Sequence, residues 1–88
     1  MINQKFWTYQ LNNSDLTITE SFGLSAVSVC LVSGSGTING NLPLANGYGS
    51  TALSLTIGQP VNFSTINSIP IDNLEISTTG IIQLIGIQ

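Results

Sequence analysis

The sequence predicts an all-β fold, a small antiparallel β-sandwich or barrel of seven to eight short strands with jelly-roll-like or Greek-key connections. Three observations carry that prediction. β-branched residues dominate, with twelve isoleucines, nine threonines and four valines, and such side chains fit the half-buried pleated surface of a sheet. Apolar and polar residues alternate wherever the chain is apolar, and no stretch repeats at the helical period. Turn signals then recur at roughly 8 to 12 residues, the spacing of sandwiches and barrels.

Taken in order, residues 5–11 (KFWTYQL) place Trp7, Tyr9 and Leu11 on one face, followed by the turn signal NNSD. Residues 16–22 (LTITESF) set Leu16, Ile18 and Phe22 against Thr17 and Thr19, and Gly23 ends the run. Residues 24–33 form the longest strand, with Val27, Val29 and Leu31 on one side and Ser28, Cys30 and Val32 on the other. Both of its faces are fairly apolar, the pattern of a central strand covered on both sides. Residues 33–50 hold five of the nine glycines. There Asn39-Gly40 and Asn46-Gly47 read as hairpin-type pairs around NLPLA, a short strand or an ordered loop.

Residues 51–57 (TALSLTI) alternate with Leu53, Leu55 and Ile57 inward, and Gly58-Gln59-Pro60 turns the chain into 61–65, which returns Val61 and Phe63. Residues 71–77 bury Ile71, Leu74 and Ile76, with a phase break near Asp72-Asn73. The final strand, 81–87 (IIQLIGI), is apolar on both faces. Left on an open edge it would be an aggregation hazard, so it is expected inside the sandwich.

With 88 residues the chain is read as one domain, residues 1–88, with 1–12 as a possible interface arm. Domains of this size bury only about 60% of their unfolded surface and are marginal alone, and small scaffolds compensate with disulfides, metals or partner subunits. One cysteine, Cys30, permits no intrachain disulfide, and without histidine no zinc site can be assembled. Association is the remaining support.

Charge supports the same reading. Only Lys5, Asp15, Glu20, Asp72 and Glu75 are charged, 6% of residues against about 25% in ordinary soluble domains. Ser, Thr and Asn supply about a third of the chain instead, and such groups are cheaper to desolvate than ions. That suits permanent contact with neighbours; a secreted β-protein is the alternative source of such a composition. A single cation leaves nothing to neutralise phosphates, so nucleic acid is not an expected partner. The longest apolar stretch, 23–34, carries serines and falls short of the ~20 residues of a membrane span, so no membrane partner is expected. The start of the chain lacks the apolar core and cleavage site of a signal peptide, which implies synthesis in a cytoplasm.

The glycine stretch reads G-x-G-x-x-x-G over 34–40. Its spacing is one residue too long for a dinucleotide fingerprint, and no helix or Gly-Lys-Ser/Thr ending follows for a phosphate loop. Serine or cysteine nucleophiles lack a histidine base, and Cys30 in an apolar strand reads as an inert thiol. Asp15 with Glu20, or Asp72 with Glu75, are the only carboxylate pairs available for acid–base work, and solvated turn residues explain them more simply. No calcium loop pattern exists. No cofactor and no enzymatic activity are expected. Trp7, Tyr9 and Tyr48 admit one ligand reading, a sugar-stacking platform, against core or subunit contacts.

Residues 24–88 resemble small β-rich virion proteins of tailed bacteriophages. VSVCLVSGSGTING, LTIGQPVNF, PIDNLEIS and GIIQLIGIQ carry that resemblance in this order. It implies a structural role without catalytic residues, as a head decoration or auxiliary subunit, often trimeric, or as a tail or connector component. The implied partners are further copies of the chain and other virion proteins such as a major capsid protein, in a virion assembled from host-made chains. The expected interface residues are Phe6, Trp7, Tyr9 and Leu11 on the first strand and Leu42, Leu44 and Tyr48 on the glycine-rich loop. A carbohydrate-binding β-sandwich module is the rival function, and a small monomeric inhibitor or toxin-like protein is a third.

Overall fold

The computed structural model describes residues 5–40, 42–44, 47–49, 52–66 and 69–88, with side chains outside 42–44 and 47–49. Among these residues ten strands follow in chain order: β1 (Phe6–Asn12), β2 (Asp15–Ile18), β3 (Ala26–Ser33), β4 (Gly36–Gly40), β5 (Leu42–Leu44), β6 (Gly47–Gly49), β7 (Leu53–Ser54), β8 (Val61–Ser64), β9 (Leu74–Thr78) and β10 (Ile81–Ile87). A 3-10 turn, Glu20–Phe22, separates β2 from β3 and closes on Gly23 at φ 68°. The run expected over 16–22 therefore stops as a strand at Ile18, and Phe22 reaches the core from the turn.

Two four-stranded antiparallel sheets face each other, ordered β1-β10-β3-β8 and β2-β9-β4-β7, with β5 and β6 as a separate ribbon. The pairing is nested: β1 with β10, β2 with β9, β3 with β8 and β4 with β7. The chain is thus one long antiparallel hairpin rolled over, so that successive strands alternate between sheets except where the ribbon interrupts β4 and β7. That nesting is the jelly roll, the two-sheet way of managing strand edges.

Alternation decides what enters the core. Val27, Val29 and Leu31 of β3 and Ile82 and Leu84 of β10 point inward, against Ile18, Ile38, Leu74 and Ile76 of the second sheet. Leu24 and Ile71 close one end, tied by the Ile71 N–H donating to the Leu24 carbonyl at 2.8 Å. β10 lies inside its sheet, between β1 and β3, as its apolar character requires. β3 differs from expectation, because only one of its faces is covered: Ala26, Ser28 and Cys30 are half-buried on the outer side.

Residues 51–57 also depart from expectation. Only Leu53–Ser54 are strand; Leu55 packs on the core, whereas Leu53 and Ile57 are 63% and 57% exposed. A strand of two residues sits at the sheet edge, and alternation there no longer decides burial. Asn39-Gly40 ends β4 in paired strand conformation instead of turning the chain. Asn46 lies outside the described residues.

The sharpest turns meet at the opposite end. Gly34 has φ 76°, and a Cβ there would lie 2.7 Å from the Gly80 Cα. The buried Thr78 hydroxyl donates to the Ser35 carbonyl at 2.9 Å and accepts from the Gly80 N–H at 2.9 Å, locking the β3–β4 turn to the β9–β10 turn.

Candidate interaction surface

Hydroxyl chemistry is spent on structure. Thr78 and Ser35 join turns, the Ser25 hydroxyl donates to the Ile87 carbonyl, and the Thr65 hydroxyl donates to the Ser25 carbonyl. Among the described residues no three His, Cys, Asp or Glu side chains converge to hold a metal. Asp15 accepts from the Ser77 hydroxyl at 2.6 Å, and Asp72 accepts from the Glu20 N–H at 3.1 Å. These two carboxylates thus serve as hydrogen-bond acceptors at a strand and at a turn.

Strand register divides the outer surface into two unlike faces. On the β2-β9-β4-β7 sheet the outward rows are Asp15, Ser77, Thr37 and Ser54, then Thr17, Glu75 and Asn39. Glu20 and Asp72 lie at the end of the sandwich, on the 3-10 turn and before β9. No acid therefore falls on the outer face of the β1-β10-β3-β8 sheet. Its rows are Phe6, Ile87, Ala26 and Ser64, then Thr8, Ile85, Ser28 and Asn62, then Gln10, Gln83 and Cys30.

This neutral face combines apolar and uncharged polar groups. Phe6 is 69% and Ile85 52% exposed. Ile85 and Ile87 line an open groove of about 290 Å3 with Ala26, Ser28, Asn62 and Ser64. The Gln83 amide donates to the Gln10 side-chain oxygen at 3.5 Å. Val32, the extra residue of a bulge where β3 and β10 shift register, adds a further exposed aliphatic group. Desolvating amides and hydroxyls that find partners costs far less than desolvating ions, so this is the face on which water is most cheaply replaced by protein.

The structure disperses the expected interface residues. Residues 6–12 are paired with β10 along their whole length, so they form a strand of the sheet and not a detached arm. Leu11 is core, at 2% exposure. Trp7 is half-buried, stacked on Tyr9 with centroids 5.7 Å apart and edge-on to Phe22 at the same distance. Phe6 and Tyr9 are exposed, on opposite sides of β1. Leu42, Leu44 and Tyr48 lie on the β5–β6 ribbon, and their side chains are outside the described residues. Ile85, Ile87 and the β3 and β8 positions beside them were not anticipated. Their signal was the two-sided apolarity of 81–87, which a half-open sheet produces as readily as a fully buried strand.

By topology the chain is a jelly-roll β-sandwich whose distinguishing site is a neutral sheet face. No protein-family model matches the sequence, and no curated protein or solved structure matches it.

Proposed function

We propose that the protein is a non-enzymatic structural subunit of a bacteriophage particle, a decoration or auxiliary protein that works by packing its neutral sheet face against other virion proteins. One observation carries the reading: all four acids lie off the β1-β10-β3-β8 face, which instead presents Phe6, Ile85 and Ile87 among amides and hydroxyls. Interface cores are depleted of charge in the same manner. Jelly rolls also serve as viral capsid domains, an analogy of fold that agrees with the sequence resemblance without extending it. The mechanism is shape and area. Contacts form through a desolvated centre, and the acids of the opposite face keep that side in water.

Sedimentation tests this. Mixed with virions of the phage whose genome carries the chain, the purified protein is expected to pellet saturably with the particles. Protein that stays in the supernatant at every ratio overturns the reading.

The stacked Trp7–Tyr9 pair favours a second reading, a carbohydrate-binding module, because jelly rolls also build lectins. Trp7 is already engaged by Tyr9 and Phe22, which leaves Tyr9 as the exposed ring. That reading predicts glycan-array signal that Tyr9→Ala removes; an array without signal eliminates it.

A further inference from the structure

We propose that two copies of this chain pair edge to edge through β1, antiparallel about Tyr9, so that two four-stranded sheets become one continuous eight-stranded sheet. The inference rests on the assembly reading and names the edge on which one copy meets another.

The four sheet edges are not equivalent. β8 and β2 are four residues long, the first preceded by Pro60 and the second opening on Asp15, and β7 has two residues. β1 runs for seven residues without charge, proline or a register shift. Proteins guard exposed edges with those very devices; none lies within β1, and Lys5 flanks only its first residue.

Backbone geometry fixes what the open side offers. The Gln88 N–H donates to the Lys5 carbonyl at 3.0 Å, and the Asn13 N–H donates to the Gly80 carbonyl at 2.8 Å. The odd-numbered residues of β1 therefore bond to β10, and the N–H and C=O groups of Phe6, Thr8, Gln10 and Asn12 face outward. Among the described residues nothing pairs with them. A second β1 with the same four outward residues satisfies them best when the twofold axis passes through Tyr9. Thr8 then bonds Gln10, and Phe6 bonds Asn12, in both directions. Centring on Thr8 or Gln10 instead leaves one outward residue of each strand unpaired.

Side chains favour the same register. Tyr9 shares the core-facing side of β1 with Leu11, yet it is 48% exposed where Leu11 is 2%. Pairing about Tyr9 sets the two tyrosines opposite each other in a non-hydrogen-bonded pair, where side chains approach most closely. The Trp7–Tyr9 stack then continues across the axis as a row of four rings, with Trp7 opposite Leu11 of the second copy. No charged residue enters the seam between Phe6 and Asn12, Lys5 lies at its end opposite Asn13 of the second copy, and the two neutral faces merge into one of twice the width. Such an interface is isologous and closes as a dimer, unlike the trimer implied by the sequence resemblance.

Three variants test the pairing, read by sedimentation mass at micromolar concentration and by circular dichroism. The unaltered protein is expected at twice 9.3 kDa. Thr8→Pro removes an N–H that serves only the second copy, and Tyr9→Glu places like charges on the axis; each is expected at the monomer mass with its β-spectrum retained. Tyr9→Cys in a Cys30→Ser background places two thiols at a Cα separation of about 4.5 Å, within disulfide range. Oxidised glutathione is then expected to link it as a covalent dimer, while Thr17→Cys on β2 in the same background stays unlinked. A monomeric or trimeric unaltered protein overturns the pairing, as does a Tyr9→Glu mass equal to that of the unaltered protein. Should Thr8→Pro fail to fold, the charge and cross-linking variants decide. Particle binding that survives loss of the dimer refutes the pairing's role in assembly but leaves the assembly reading standing; a dimer that never binds particles does the reverse.

Discussion

Replacing Gly86 by alanine probes the packing that holds the edge strand to the sandwich. Gly86 sits opposite Trp7 in the β1–β10 pair, on the core side of the sheet. A Cβ there would lie 2.8 and 2.9 Å from the two methyl carbons of Leu24 and 3.0 Å from Cε3 of Trp7. Leu24 is fully buried and has no open space to retreat into, and Trp7, although half-buried, is held between Tyr9 and Phe22. Overpacking of this kind costs about 1–3 kcal/mol. The lost freedom of the unfolded chain offsets ~0.4–1 kcal/mol of it, because glycine is replaced by alanine at a permitted φ. At mid-range a net loss of about 1.3 kcal/mol remains, or roughly 5–10 °C in Tm at ~4–8 °C per kcal/mol for a domain of this size. Urea unfolding followed by the fluorescence of Trp7, the one tryptophan, measures it. Combining Gly86→Ala with Leu24→Ala should cost less than the sum of the two, since shrinking Leu24 vacates the space the new methyl needs. A neutral Gly86→Ala, or strict additivity in the double variant, would refute the packing described.

Two further outcomes follow from the placement of β1 and from the charge partition. Leu11→Ala should destabilise by about 2–5 kcal/mol, as core truncations do, whereas Phe6→Ser, three-quarters of a strand away on the outer side, should stay within ~0.5 kcal/mol in the isolated chain; parallel urea titrations separate the two. Raising NaCl should leave association between copies intact or strengthen it. The seam contains no ion pair to screen, while the repulsion between chains of net charge −3 weakens with salt; dissociation on adding salt, read by sedimentation, would contradict this.

The all-β class and most of the core were legible because alternation is a local property. Val27, Val29 and Leu31, and likewise Leu74 and Ile76, carry it in strands long enough to show period two. Two features were not legible. Short edge segments such as Leu53–Ser54 obey no alternation, so exposure of Leu53 and Ile57 depends on what the rest of the sandwich covers. The neutral face was hidden for a different reason. Ile85 and Ile87 sit within one strand of the Thr79-Gly80 turn, but only nested pairing with β1 and β3 reveals that their side of the sheet has no second layer. Phe6 and Tyr9, expected together with Leu11 at an interface, are exposed, but strand pairing, a long-range property, decides that Leu11 between them and the turn is core.

The central claim is that the neutral face, and not the acidic one, meets the particle. Introducing one negative charge on each face tests it most directly: Ile85→Glu on the β1-β10-β3-β8 sheet and Thr17→Glu on the other, both at exposed positions. In co-sedimentation with virions, Ile85→Glu is predicted to abolish binding at unchanged stability, and Thr17→Glu to bind as the unaltered protein does. Binding retained by Ile85→Glu and lost by Thr17→Glu would contradict the account.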